Sequence, residues 1–190
     1  IRLTYDDTWL RDSGPITLLI NHGFRLLDFH FTAWGGKFAA EHDDKIVAEL
    51  VNQGLFSDAQ HQRIDFALEG GGIETDGMGT LLTTWHCLHE RHPSLSRHEI
   101  ENRLKNTLHQ DRILWLENGY LEGDDTDAHI DTLARFASAE SIVYQGCQDS
   151  DDSHYRALTA MADELRQLRQ SNGEPYRLFE LPWPQPIIDN

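Results

Sequence analysis

Apolar and polar positions along the chain switch between a period of two and a helical period, and the switch repeats. Ile16–Ile20 and Phe24–Phe31 are apolar runs joined by Asn21-His22-Gly23, a hairpin signal. Glu41–Asn52 then sets Ile46, Val47, Leu50 and Val51 at helical spacing, with Gly54 as a stop, and Arg63–Leu68 returns to a short strand. The order strand, strand, helix, strand recurs. The second round is Gly72–Thr75, Thr80–Thr84 after the turn Asp76-Gly77-Met78-Gly79, a helix from Ser96 to about Leu108, and Arg112–Leu116. Ser96 and Glu99 form a capping box at the start of that helix. The third is His129–Phe136, Ser141–Gln145, a helix from Ser153 to about Gln170 closed by Ser171-Asn172-Gly173, and Tyr176–Leu181. The pattern predicts an α/β chain of three ββαβ units over about 12–68, 69–128 and 129–190, forming one domain that is incomplete as it stands.

Polar motifs sit where one unit's last strand hands over to the next unit's first. They read WLRDSGP at Trp9–Pro15, LEGGGIETDG at Leu68–Gly77 and GDDTDAHIDTLARF at Gly123–Phe136. Within them Asp12, Glu69 and His129 recur at about 60 residues, a spacing at which a repeated unit delivers one polar group each time to a shared place. Two carboxylates and an imidazole on one spot can bind a cation and move protons. Taken singly, Asp12 also reads as a turn or cap residue beside Gly14-Pro15, and His129 as a satisfied polar group at a strand start. Gly70-Gly71-Gly72 suits a sharp reversal or a close backbone approach. It does not read as a phosphate cradle, because no Lys-Ser/Thr follows and the chain continues as strand.

Charge narrows the partners. The 190 residues carry 32 acidic against 16 basic side chains, a formal charge of −16. Phosphate binding needs clustered Lys and Arg, so neither nucleic acid nor an anionic membrane is expected as partner. An acidic cleft instead concentrates cations, and a small cationic ligand fits, with assembly into a homo-oligomer left open. Two Cys argue against a disulfide framework and make a reducing cytoplasm the default compartment. No apolar run approaches the ~20 residues of a membrane helix. The chain opens on Ile1 within a strand-like run and closes just beyond Pro182-Trp183-Pro184-Gln185-Pro186, which reads as a piece of a longer domain.

Asp6–Pro15, Ala33-Trp34-Gly35-Gly36-Lys37-Phe38, Leu68–Gly72 and Glu122–Asp131 together resemble the agmatine deiminase and bacterial-type peptidyl-arginine deiminase family, in order and over essentially the whole chain. The resemblance implies a pentein fold, a five-bladed α/β-propeller of ββαβ units, with about three of five blades present here. It implies hydrolysis of a guanidinium to a ureido group and ammonia through a Cys-amidino intermediate, with no cofactor. Agmatine, a guanidine with a terminal amine and a precursor of putrescine, is the substrate preferred by that likeness. Peptidyl-arginine, free arginine, or a non-catalytic guanidinium-binding role are the alternatives. By the same likeness Asp12 and Asp131 grip the guanidinium, as planar donors favour paired carboxylates. His129 protonates the leaving ammonia and then helps deprotonate water, Glu69 orients His129, and Trp9 stacks on the guanidinium plane. Of the acidic turn Asp124, Asp125 and Asp127, Asp125 is the one expected to line the pocket. Arg11 is expected to partner carboxylates, since it would repel a guanidinium.

The chain departs from that family at the nucleophile, which the family carries in a Gly-rich segment of its last blade. Cys87, between a strand and a predicted helix, and Cys147, in a loop, both read as structural. A rival reading is a metal protein built on His86, Cys87, His89 and His92. No second cluster completes that set and Pro93 breaks it, so no metal is expected. The Asp124–Asp131 loop lacks the regular ligand ladder of a calcium-binding EF-hand.

Overall fold

The computed structural model describes residues 1–184, and three sheets of three strands follow one another along them. The first unit contains α1 (Leu10–Ser13), β1 (Ile16–Ile20), β2 (Gly23–His30), the tight turn α2 (Ala33–Gly36), α3 (Ile46–Asn52) and β3 (Ala59–Ala67). The second contains β4 (Ile73–Thr75), β5 (Thr80–Thr84), α4 (Trp85–Arg91), α5 (Arg97–Leu108) and β6 (Arg112–Leu116). The third contains α6 (Ile130–Leu133), β7 (Ala134–Ser138), β8 (Ser141–Gln145), α7 (Tyr155–Gln167) and β9 (Arg177–Leu181). In every sheet the middle strand pairs antiparallel with the strand before it and parallel with the strand after it. A hairpin serves the first pairing. The parallel pairing needs a crossover, and the helices supply it.

The core lies at the seams between units. β5 is buried at every position because it is covered on both faces. Leu81 points into a cluster with Leu27, Phe29 and Phe66 of the first sheet and Ile100 and Leu104 of α5. Its neighbour Leu82 points into a second cluster with Leu116 of β6 and Ile130, Leu133, Ile142 and Leu158 of the third unit. Successive strand residues face opposite sides, so this one strand ties all three units together.

Several expected boundaries move, each for a local reason. The first helix begins at Ile46 rather than Glu41, after a 3-10 turn at Asp43–Lys45. Asp43 is occupied by the backbone N–H groups of Asp6 and Asp7, both at 2.9 Å, and Asp44 by that of Phe31 at 2.7 Å. Such side-chain bonds compete with helix formation. β3 starts at Ala59 instead of Arg63, because pairing with Phe24 and Arg25 of β2 extends it. The expected strand His129–Phe136 is a single helical turn up to Leu133 and becomes strand only at Ala134. Thr132 closes that turn by donating from its hydroxyl to the His129 carbonyl at 2.9 Å, while Ile130 and Leu133 enter the core. Cys87 lies between β5 and the expected helix α5, in an additional short helix, α4, held by burial of Cys87, Leu88 and Arg91 rather than by a side-chain cap. α7 stops at Gln167, and Gly173 belongs to the turn between Arg169 and Pro175 instead of capping the helix. The last residues of the expected third unit, 185–190, lie outside the described residues. Among the described residues no helix is long and apolar enough to cross a membrane.

If β5 is the tie between units, Leu82→Ala should cost about 2–5 kcal/mol of stability, the range for emptying a fully buried leucine site. Urea unfolding of the full-length gene product checks this, with the midpoint falling and the far-UV spectrum unchanged.

Candidate active site

Three short turns meet at the handover points between units. Asp12 sits in α1, Glu69 precedes the 3-10 turn Gly70–Gly72, and His129 is the residue before α6. All three side chains are buried, Glu69 completely. The central turn carries no side chains, so the other two close on it. The Gly71 N–H donates to Asp12 Oδ1 at 3.0 Å, and the Trp34 indole N–H donates to Asp12 Oδ2 at 3.0 Å.

Gly71 shows how closely the groups converge. A Cβ there would lie 2.6 Å from Asp12 Oδ1, 2.6 Å from His129 Nδ1 and 2.8 Å from Asp131 Oδ2. Two carboxylates and one imidazole nitrogen therefore surround a single point. His129 Nδ1 is 3.7 Å from Asp12 Oδ1, and its other nitrogen faces Glu69 Oε2 at 3.5 Å. The second distance is at the outer edge of a hydrogen bond, and Nε2 has no better partner among the described residues. The His129 backbone is fixed by a bond from its N–H to Thr126 Oγ1 at 3.1 Å, beside a bond from Thr84 Oγ1 to the Ala128 carbonyl at 2.7 Å.

Behind Glu69 lies Arg91, whose side chain is fully buried. Its Nε donates to both Glu69 oxygens at 2.8 and 3.1 Å, its Nη1 to Asp127 Oδ2 at 2.6 Å and its Nη2 to the Thr126 carbonyl at 2.9 Å. Asp127 is shared with Lys37, whose Nζ is 2.6 Å from Asp127 Oδ1 and 2.6 Å from the Asp125 carbonyl. Burial pushes the Glu69 carboxyl upward, but His129 and Arg91 outweigh it and hold Glu69 below the ordinary carboxylate range. Asp127 is lowered in the same way, burial being overcome by Lys37 and Arg91. Asp131 is raised, by burial first and by the Asp12 charge beside it, with His129 only partly offsetting them.

The point near Gly71 opens into a cavity of about 410 Å³. Asp12, His129 and Asp131 form its inner end, Trp9, Trp34 and Phe38 its aromatic wall, and Asp7, Asp124 and Asp125 an acidic rim. Trp9 is 59% exposed. The turn at Ala33–Gly36 is at once tight and pocket-lining: φ is positive at Ala33, Trp34, Gly35 and Gly36, and the Trp34 indole is packed against Phe31. Asp124 is spent on its own loop, accepting from the N–H groups of Thr126 and Ala128 at 2.9 and 3.0 Å. Arg11 lines the cavity but makes no ion pair among the described residues, contrary to expectation; its charge reaches Asp131 only through space.

Neither sulfur atom lines this cavity. Cys87 Sγ falls within 4.8 Å of donor atoms of Glu69 and His129, a set of three that could ligate a metal. The Glu69 carboxylate is already occupied by Arg91, which puts a fixed positive charge beside any ion there. Burial pushes the Cys87 thiol far above its ordinary value, and the Glu69 charge adds to the effect. The histidines of the suspected cluster diverge: His89 stacks on Trp85, His92 stacks on Phe66 and bonds the Ala67 carbonyl at 2.9 Å, and His86 is exposed. Cys147 lines a separate cavity with Tyr144 and Glu180.

Comparison with known proteins meets this geometry. A family described as Porphyromonas-type peptidyl-arginine deiminase matches residues 1–190. The chain belongs to this family. It is 35% identical, over 98% of its length, to the agmatine deiminase of Pseudomonas aeruginosa (strain UCBPP-PA14), of which it covers 52%. It matches the structure of C. jejuni agmatine deiminase, a Cys-to-Ser variant with substrate bound, at TM-score 0.90 and 39% identity, covering 100% of this chain and 55% of that one. It also matches the Enterococcus faecalis agmatine deiminase at TM-score 0.89 and 29% identity, covering 98% of this chain and 52% of that one. The chain thus spans about half the length of the curated relatives it matches. Its three ββαβ units are part of the pentein-type α/β-propeller.

Within this deiminase-family frame, Asp12, Glu69, His129 and Asp131 are brought together, and Trp9 and Asp125 lie on the wall and rim of the same cavity. Arg91 is missed by the sequence reading, which names Lys37 only within the Ala33–Phe38 motif and reads Gly70-Gly71-Gly72 as a sharp reversal or close backbone approach without its partners. Arg91 was hidden at the end of the His-rich stretch, where the segment's own pattern drew attention to metal ligands.

The raised Asp131 sets a sign. A carboxyl whose folded pKa lies above its unfolded value costs stability once pH has risen past the unfolded value, and costs nothing below it. Asp131→Asn should therefore raise the melting temperature of the full-length protein at pH 7. The gain should vanish near pH 3. Calorimetric scans at the two pH values measure it.

Proposed function

We propose that this chain supplies the guanidinium-binding half of a deiminase site, and that the whole gene product converts agmatine to N-carbamoylputrescine and ammonia. The observation that carries the reading is the space beside Gly71, ringed by Asp12 Oδ1, Asp131 Oδ2 and His129 Nδ1. A planar cation with several N–H donors satisfies two carboxylates at once. It also relieves the repulsion between them that is felt at Asp131.

The roles follow from position. Asp12 and Asp131 hold the guanidinium nitrogens. A thiolate attacks the guanidinium carbon, and one C–N bond breaks as ammonia leaves with a proton delivered by His129. Water then attacks the amidino carbon, giving a proton to His129 and releasing the thiolate and the ureido product. Imidazole is the side chain suited to exchanging a proton in both directions near neutral pH. Glu69, on the far nitrogen of His129, holds the ring and offsets its charge when protonated. Trp9 covers the guanidinium plane.

Neither cysteine of this chain suits the attacking thiolate. Cys87 is sealed and held protonated, and Cys147 lines a different cavity. The reading therefore takes the nucleophile from outside these residues. The C. jejuni agmatine deiminase was captured with substrate as a Cys-to-Ser variant, which fits a cysteine-dependent reaction in that relative.

Agmatine is favoured by the rim. The acidic rim of Asp7 and Asp125, with Arg11 the only Lys or Arg lining the cavity among the described residues, suits an amine at a ligand's distal end and not a carboxylate. Production of a putrescine precursor is the role that follows. Peptidyl-arginine is the second reading, supported by the family's description and by the exposed position of Trp9.

Ammonia and ureido release by the full-length protein, assayed with agmatine, arginine and an arginyl peptide, tests this. Agmatine should lead. His129→Ala and Asp131→Ala should each lower kcat/KM by at least about 100-fold without unfolding, the usual scale for a general acid–base or positioning group. Cys87→Ser and Cys147→Ser should stay within about twofold of the parent, as changes outside the reacting groups do. A dominant arginine activity, or loss of turnover on either cysteine change in a folded protein, overturns the assignment.

A further inference from the structure

The reading above leaves Arg91 without a task, although it is the buried cation of the site. Its guanidinium reaches three structures at once. On one side it bonds both oxygens of Glu69. On another it bonds Asp127 and the Thr126 carbonyl, in the loop that leads directly into His129. On the third it packs beside Gly35, where a Cβ would stand 3.4 Å from Arg91 Nη1.

Those last two contacts fall on strained backbone. φ is 63° at Asp127 and 67° at Ala128, the two residues immediately before His129. Across the cavity, Ala33 and Trp34 have φ of 46° and 56°. Non-glycine residues adopt such conformations only when their surroundings impose them, and they concentrate at sites where geometry matters. Lys37, which directly follows the second turn, clamps it to the first through Asp127 and the Asp125 carbonyl. The ion pairs form a continuous line: Lys37, Asp127, Arg91, Glu69, and then His129.

We infer that Arg91 is a positioning residue of this deiminase site, fixing the Glu69 carboxylate against His129 and, through Asp127, seating the strained turn that delivers His129 to the cavity. The inference rests on the deiminase reading. Arg91 touches no substrate in this arrangement, since the cavity wall does not include it. It acts through Glu69 and Asp127. A guanidinium suits the task because its fork can bond two carboxylates in different directions, which a lysine ammonium on one flexible stem cannot do with the same geometry.

The charge on Glu69 gives a readout that a purely structural role would not move. The groups facing Glu69 are Arg91 and Cys87 from α4, His92 at its end and His129 before α6, with Asp12 and Asp131 beyond the His129 ring. Arg91 is the fixed cation among them. Without it, burial acts on Glu69 with the neighbouring histidines but no fixed cation opposing, so Glu69 takes up its proton at higher pH. Catalysis that needs Glu69 ionised then retreats to higher pH.

The test uses the full-length protein with agmatine, comparing the parent, Arg91→Lys, Arg91→Gln, Asp127→Asn and His129→Ala. Arg91→Gln should move the acid limb of the kcat profile up by about one pH unit or more, since one unit is the scale of a lost buried ion-pair partner. Arg91→Lys should keep the limb near its parental place yet lower kcat about tenfold with KM within about twofold, the pattern of a lost transition-state placement. Asp127→Asn, at a partly exposed position, should lower kcat in the same sense, and it decides the matter if the Arg91 variants do not fold. Parental kcat and an unmoved acid limb in the folded variants would overturn the inference. An inactive parent would instead overturn the deiminase reading itself, as would a His129→Ala variant with full activity.

Discussion

The site depends on how near the backbone at Gly71 comes to three side chains. Asp12, His129 and Asp131 reach one point because the turn between them has no side chain there. The turn is fixed on one side by the bond from Gly71 N–H to Asp12 and followed on the other by β4. Gly70 is equally constrained, since a Cβ would run into the Arg11 carbonyl. Pseudo-symmetry makes this possible. Each unit begins with a short turn ahead of its first strand, and the three turns meet where the units meet, on a frame that β5 holds rigid from both faces.

Burying so many charges has a cost that shapes the chemistry. Glu69 and Asp127 are compensated by Arg91 and Lys37, and both carboxyls stay below their ordinary range. Among the described residues Asp12 and Asp131 have no ion-paired Lys or Arg, and Asp131 is raised despite the charges of His129, Arg135 and Arg11. The protein thus settles one pair of carboxylates internally and leaves the other in need of a cation. A guanidinium meets that need more fully than a simple ammonium, because it presents N–H donors in a plane towards both acids. A destabilised pair of this kind is a common feature of sites whose affinity and chemistry are directed at one ligand charge.

Much of this was legible in the chain. Strand period, helix period and turn residues located eight of the nine strands among the described residues to within four positions at either end, because most are half-buried or fully buried runs, while β7 starts five positions later than expected. The recurrence of Asp12, Glu69 and His129 at nearly equal spacing foretold their convergence, since a repeated unit returns its handover point to the same axis. What was hidden depended on contacts distant in sequence. α4 has weak helical propensity and exists because Cys87, Leu88 and Arg91 are buried. The turn at Ile130–Leu133 interrupts an expected strand because Thr132 returns to the His129 carbonyl. Arg91 lay at the end of a histidine-rich segment whose spacing suggested metal, while its partners, Glu69 and Asp127, are 22 and 36 positions away.

The central claim is that one backbone approach creates the guanidinium site, and Gly71→Ala tests it most directly. The substitution adds a methyl group where Asp12, Asp131 and His129 converge and leaves every charge in place. Calorimetric titration of the full-length protein with agmatine, beside a circular dichroism spectrum, reads the outcome. The account predicts a folded protein whose affinity for agmatine falls by about 100-fold or more, because misplaced groups lose both paired contacts and orientation. A folded Gly71→Ala protein that binds agmatine as the parent does would contradict it.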